Sequence, residues 1–167
     1  MKKLLALTLS LLTLAAGLTA CKEEYKTKTY EKDDFSIVMS DNFHENTTDF
    51  RDDFTYYFES AMSMAAVIKE EFSLFEEAGY TPEAITLTQY AELVILTGGL
   101  EESKVKEEDG LTYFTYLYED AGITYYYMVF VYKGSDAFWT VNLACVEGQK
   151  EDFIPRFKEW AASVQVD

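Results

Sequence analysis

The chain is short of cations, of histidine and of cysteine. Its 167 residues hold 14 Lys and Arg against 30 Asp and Glu, a formal net charge of −16. A surface of that sign repels nucleic acid and anionic lipid headgroups. The lone histidine, His44, would have to serve any dyad built on Ser, Thr or Cys145, and its neighbours Glu45 and Asn46 mark a solvated loop instead. Zinc-ligand spacing, a nucleophile elbow and a glycine-rich phosphate loop are all missing. No cofactor is expected. Apolar and aromatic residues are plentiful, at 49% and 16% of the chain, which is enough to fold around a core.

The longest uncharged run opens the chain. Lys2 and Lys3 precede an apolar stretch from Leu4 to Ala16, and Leu18-Thr19-Ala20 sets small residues before Cys21. The stretch is short for a spanning helix of about 20 residues, and such a helix gains nothing from small residues followed by cysteine. The tetrad Leu18-Thr19-Ala20-Cys21 resembles the lipobox of bacterial lipoproteins. That resemblance implies cleavage between Ala20 and Cys21 and a lipid on the Cys21 thiol, leaving the protein on the outer, extracytoplasmic face of a bacterial membrane. Two acyl chains make a stable anchor.

Removal of residues 1–20 leaves 147 residues, which suits one domain, and loss of Lys2 and Lys3 moves the charge to −18. With Cys21 lipidated, Cys145 has no disulfide partner in the chain. It lies in phase with Trp139, Val141 and Leu143, as a core residue would. Residues 21–32 are charged, lack an apolar face over most of their length, and read as a tether; residues 33–167 read as the domain.

Alternation predicts a strand over Phe35–Ser40, then strands over Tyr56–Ser60 and Met64–Lys69, although Met64-Ala65-Ala66-Val67 is also compatible with a helix. A short helix over Phe72–Ala78 ends at Gly79. Thr86-Leu87-Thr88-Gln89 has capping-box spacing, and the helix it opens carries Leu87, Tyr90, Ala91, Val94 and Ile95 on one face before Gly98-Gly99 stops it. Three strands follow as a meander, Leu111–Tyr118, Ile123–Tyr132 and Ala137–Val146, with a shorter strand near Ser103–Lys106 before them. A last helix over Glu151–Val164 presents Phe153, Phe157 and Trp160, with Pro155 expected in its first turn. The pattern predicts an α+β domain, one antiparallel sheet with helices on its faces.

This order of elements, with Phe-Ser-Ile-Val-Met, Thr-Leu-Thr-Gln-Tyr-Ala, Ala137-Phe138-Trp139 and a final Phe-x-x-x-Phe-x-x-Trp, resembles small PsbP-like lipoproteins. The chain departs from them at Ser40-Asp41, where proline is common. The resemblance implies an α-β-α sandwich that docks protein partners and has no catalytic residues to carry across.

The meander holds more rings than one core face needs. By alternation Tyr113, Tyr125 and Tyr127 are placed on one side, and Phe114, Tyr116, Tyr118, Tyr126, Phe130 and Tyr132 on the other. Tyr116, Tyr118, Tyr126 and Tyr132 are therefore the candidate binding platform, if that face is open. Paired acids such as Asp33-Asp34, Asp52-Asp53 and Glu107-Glu108-Asp109 lack EF-hand spacing and read as solvated surface, so no metal site is expected. The composite expectation is a lipid-anchored, non-catalytic binding or assembly module with a protein partner in the cell envelope. The alternatives are a solute- or glycan-binding lipoprotein and an envelope hydrolase, which needs two carboxylates facing across a cleft.

Overall fold

The computed structural model describes residues 26–47 and 54–167, which form two antiparallel sheets and three helices. The large sheet has seven strands in the order β3 (His44–Glu45), β4 (Tyr56–Glu59), β5 (Ser63–Glu71), β9 (Ala137–Val146), β8 (Ile123–Lys133), β7 (Leu111–Asp120) and β6 (Lys106–Glu108). The small sheet has three, in the order β1 (Thr27–Glu31), β2 (Phe35–Ser40) and β10 (Gln165–Val166). The helices are α1 (Phe72–Glu77), α2 (Leu87–Thr97) and α3 (Lys150–Ala162). This is an α+β fold, as expected. The first strand, however, does not join the main sheet; it pairs with segments from both ends of the described chain.

The meander follows its turn chemistry. Asp109-Gly110 and Ala121-Gly122 all take positive φ, at 53°, 79°, 50° and 78°, so each pair makes a two-residue hairpin turn whose twist matches its strands. The α2 capping box is formed. Thr86 Oγ1 accepts from the Gln89 amide at 3.2 Å, and Gln89 Oε1 accepts from the Thr86 amide at 2.9 Å.

Each face of the large sheet has its own core. On one face, which we term the sealed face, Trp139, Val141, Leu143, Cys145, Phe130 and Tyr113 pack under α3 and the small sheet. Phe153, Phe157 and Trp160 enter this core at 7%, 0% and 4% exposure, each burial contributing about 1.5–3 kcal/mol. On the opposite face, Phe114, Val129, Val131 and Phe138 pack under α1 and α2, with the Tyr90 ring stacked on Phe138 at 4.4 Å.

Two local expectations are corrected. Residues 27–31, placed in the tether, form β1: Tyr30 is buried, and its hydroxyl donates to the Ser40 and Phe43 carbonyls at 3.0 and 2.8 Å. Pro155 lies inside α3, beyond its first turn, because a 3-10 turn over Glu147–Gln149 leads directly into a helix starting at Lys150. Pro155 cannot donate to the Glu151 carbonyl, and both residues are exposed, so the unmatched carbonyl falls on the solvated side of the helix.

The small sheet and the large one are tied by charge. Lys69 Nζ lies 3.0 Å from Asp34, 3.3 Å from Glu71 and 3.7 Å from Asp136, and it sits over the Trp139 ring. The Tyr56 hydroxyl donates to the same Asp34 at 2.8 Å. Burial, followed by the neighbouring Asp34 carboxylate, pushes the Tyr56 phenol up to about 12.

Candidate functional site

The four tyrosines of the expected platform do not share a surface. The two-residue turn pairs Asp120 with Ile123, which sets Tyr116 opposite Tyr127, Leu117 opposite Tyr126 and Tyr118 opposite Tyr125. Directly opposed residues project to one side of a sheet. Tyr116 and Tyr118 therefore stand with Tyr125 and Tyr127, while Tyr126 and Tyr132 point to the sealed face. There Tyr132 donates to the Ala161 carbonyl at 2.8 Å and docks the end of α3, and burial pushes its phenol up. Tyr126 packs against the core that contains Cys145, bonded to Thr115, and burial raises its phenol as well.

Two cross-strand rows build the opposite surface. One runs His44–Glu59–Met64–Ala144–Tyr127–Tyr116, and the next Tyr57–Ala66–Asn142–Val129–Phe114. A shorter row, Val146–Tyr125–Tyr118, completes the end of the sheet. Ala66 and Ala144 are fully buried small residues in the middle, so the rings beside them form raised walls over a low floor. Tyr116 and Tyr127 stack at 4.7 Å and 9°, and Tyr118 meets Tyr127 edge-on at 6.4 Å. Burial, followed by the neighbouring Tyr127 and Tyr118, pushes the Tyr116 phenol up.

Cover on this side ends early. The cluster under α1 and α2 takes in Phe114 and Val129 and reaches Tyr116 at its margin. Beyond it Tyr118 is 51% exposed, and Ile123 and Val146 at the same end are 44% and 40% exposed. The charges on this surface have one sign. Glu59 stands at one end and Asp120, opposite Ile123, at the other, and the three rows contain no lysine or arginine.

The remaining sequence candidates are placed as follows. His44 Nε2 is 3.2 Å from Glu59 Oε1, which also accepts from Asn46 at 3.0 Å; the imidazole is two-thirds exposed, and among the described residues no nucleophile is hydrogen-bonded to it. Cys145 is 2% exposed, and burial pushes its thiol up to about 11, which makes it a core filler. Among the described residues, no three His, Cys, Asp or Glu gather as a metal site, and no helix is long and apolar enough to cross a membrane. The lipobox residues Ala20 and Cys21 lie outside the described residues. A separate cleft opens on the sealed side, where Asp152 is the one carboxylate among the described residues of its lining. A two-carboxylate hydrolase finds no opposed pair there.

No protein-family model matches the sequence, and no curated protein does. Among solved structures, the chain is similar to the solution structure of cyanobacterial PsbP (CyanoP) from Synechocystis sp. PCC 6803. The TM-score is 0.57 at 14% identity, over 90% of this chain and 99% of that one. A crystal structure from Bacteroides thetaiotaomicron VPI-5482 overlaps with a TM-score of 0.50 at 8% identity, over 80% of this chain and 45% of the other. The overlap with LpqN, involved in cell envelope biogenesis of Mycobacterium tuberculosis, has a TM-score of 0.38 at 8% identity, over 87% of each chain. At these identities the likeness is one of fold, and the fold is PsbP-like.

Proposed function

We propose that the protein is a lipid-anchored, non-catalytic binding module on the extracytoplasmic face of a bacterial membrane. It docks a protein partner of the cell envelope through the tyrosine face. The observation that carries this reading is the uncovered end of that face, where Tyr118, Tyr125 and Tyr127 stand beside Ile123 and Val146 between acidic ends. Half-exposed tyrosines around a small-residue floor suit a protein contact, since each offers a large rigid area and a hydroxyl. The acids at both ends favour a partner that presents a basic segment, whose aliphatic stems lie on the rings and whose charges meet Glu59 and Asp120. Anchoring is supported by the lipobox resemblance at Cys21. Residues 22–26 alone separate Cys21 from β1, a reach of at most about 22 Å even fully extended, which holds β1 close to the membrane.

A photo-crosslinking residue placed at Tyr118 or Tyr125 of the full chain, in membranes, tests the docking. The expected result is one shared adduct from both positions and none from the exposed Leu74 on α1. Tyr118→Ser should then weaken binding of that purified partner about tenfold or more with an unchanged melt. Adducts that arise equally from Leu74 refute the surface. Cys21→Ser should release the protein from the membrane fraction or leave it unprocessed; a variant still processed and membrane-bound refutes the anchor.

A further inference from the structure

On the sealed side of the large sheet, a cleft of about 490 Å³ lies between α3, the β2–β3 turn and the β4–β5 turn. That volume is within the range of about 300–1,000 Å³ usual for small-molecule sites. Its floor is aromatic: Phe43, Phe153 and Trp160 are at most 7% exposed, with Phe43 edge-on to Trp160 at 5.3 Å. Its walls are polar, supplied by the amides of Asn42 and Gln149, the carboxylate of Asp152 and the guanidinium of Arg156.

Three features show a built surface. Ser60 Oγ donates to the Ser63 carbonyl at 3.1 Å and accepts from the Met62 and Ser63 amides, which fixes the turn that forms one wall. Arg156 lies over the Phe153 ring at 5.5 Å. Gln149 Oε1 is buried and finds no donor among the described residues, while its amide nitrogen reaches only the Met62 sulfur, at 3.9 Å. A buried acceptor without a donor is costly, so the Gln149 side chain gains by turning its amide toward a ligand O–H in the cleft.

The charge pattern selects the ligand. In a chain of net charge −16, this lining holds, among the described residues, one carboxylate and one guanidinium, which cancel. Amides and serine hydroxyls both donate and accept, so the matching groups on a ligand are hydroxyls, which do the same. Aromatic ring atoms below the polar walls suit the C–H face of a sugar. We propose that this cleft binds a neutral saccharide, as a site independent of the tyrosine face and of any protein docked there.

The test uses the ¹⁵N-labelled full chain in a zwitterionic detergent, since sugar-headed detergents would compete, and reads the Trp160 indole N–H signal. The free-sugar arm titrates glucose, galactose, N-acetylglucosamine, maltose and trehalose to about 20 mM, enough to detect millimolar affinity. The polymer arm measures co-sedimentation with peptidoglycan and with a neutral cell-wall polysaccharide. A saturable Trp160 shift identifies a free saccharide as ligand, and co-sedimentation without such a shift identifies a glycan chain. In either arm, Gln149→Ala and Asp152→Ala, whose melts should match the parent chain, are expected to weaken binding by roughly tenfold or more. The proposal is overturned if both arms are blank. It is equally overturned if these variants bind unchanged, or if glucuronate binds as tightly as glucose.

Discussion

Lys133→Met should detach the segment that leads into α2. The Lys133 ammonium donates to three carbonyls at once, those of Pro82, Glu83 and Ile85, at 2.9, 3.0 and 3.1 Å, which uses every proton it has. It also lies over the Phe138 and Phe72 rings at 5.3 and 5.7 Å. Hydrogen bonds from a charged donor contribute about 1.5–3 kcal/mol each, so the simple total is several kcal/mol. Most of that does not survive scrutiny of the acceptors. The Glu83 bond is exposed, so its carbonyl rehydrates, and the Pro82 carbonyl keeps the Ile85 amide at 3.1 Å. Loss is then concentrated at the part-buried Ile85 carbonyl and the two ring contacts. Methionine preserves most of the stem, so the expected cost is about 2–3 kcal/mol, or about 5–10 °C in Tm for a domain of this size. Urea unfolding should show a lower midpoint at unchanged slope. Amide exchange should accelerate first at residues 83–90. A loss below about 0.5 kcal/mol with unchanged exchange there would refute the reasoning, because it would mean that the three bonds merely replace water.

Asp34 supplies a pH dependence. Burial pushes its carboxyl up, but hydrogen bonds from Tyr56 and Lys69 outweigh that together and hold it below the ordinary carboxylate value. A group depressed in the folded state stabilises above its unfolded pKa and loses that contribution as pH falls through its folded pKa. Asp34→Asn should therefore melt below the parent chain at pH 6, with the gap closing as pH drops below about 4; a gap constant from pH 6 to 2.5 would exclude the linkage. Thiol titration with an aromatic disulfide probes both cysteines. The native lipidated chain should give no reaction near pH 8, since Cys145 is 2% exposed with its thiol pushed up to about 11, and one equivalent after denaturation. Two equivalents after denaturation would show that Cys21 carries no lipid.

The elements that the sequence predicts well are those whose determinants are local. Thr86 and Gln89 cap α2 with atoms three residues apart, and Phe153, Phe157 and Trp160 recur at helical spacing. Strand β1 escaped because its stretch Thr27–Glu31 buries only Tyr30, so no alternation is visible; its pairing with β2 is set by a phenol that reaches Ser40 and Phe43. The tyrosine faces failed for a subtler reason. Alternation fixes which residues of one strand share a side, but relating two strands requires their register. A two-residue turn at Ala121-Gly122 opposes even positions of β7 to odd positions of β8, whereas a three-residue turn would oppose even to even. Alanine in the left-handed region, at φ 50°, concealed which turn it was. The saccharide cleft had no sequence signal, since Asn42, Ser60, Gln149 and Asp152 come from three distant segments.

Why the tyrosine end is open follows from lengths. β8 has 11 residues and β7 has 10, so the hairpin extends about 35 Å along the sheet. The two helices on that side have 6 and 11 residues, and even a helix of 11 laid along the strands covers about 16 Å. Gly98 and Gly99 end α2 there, with Gly99 at φ 66°. The longer helix thus spans less than half the length of the strands, and even both helices end to end, at about 25 Å, fall short of it; the deficit falls on Tyr118, Tyr125 and Tyr127. The other side has a 13-residue helix and a three-stranded sheet to close it, and there Trp139, Val141 and Leu143 are fully buried. A sheet closed on one face by α3 and the small sheet, up to the hairpin end where Leu117 is 54% exposed, and half-covered on the other keeps its stability on the first and leaves the second free to bind.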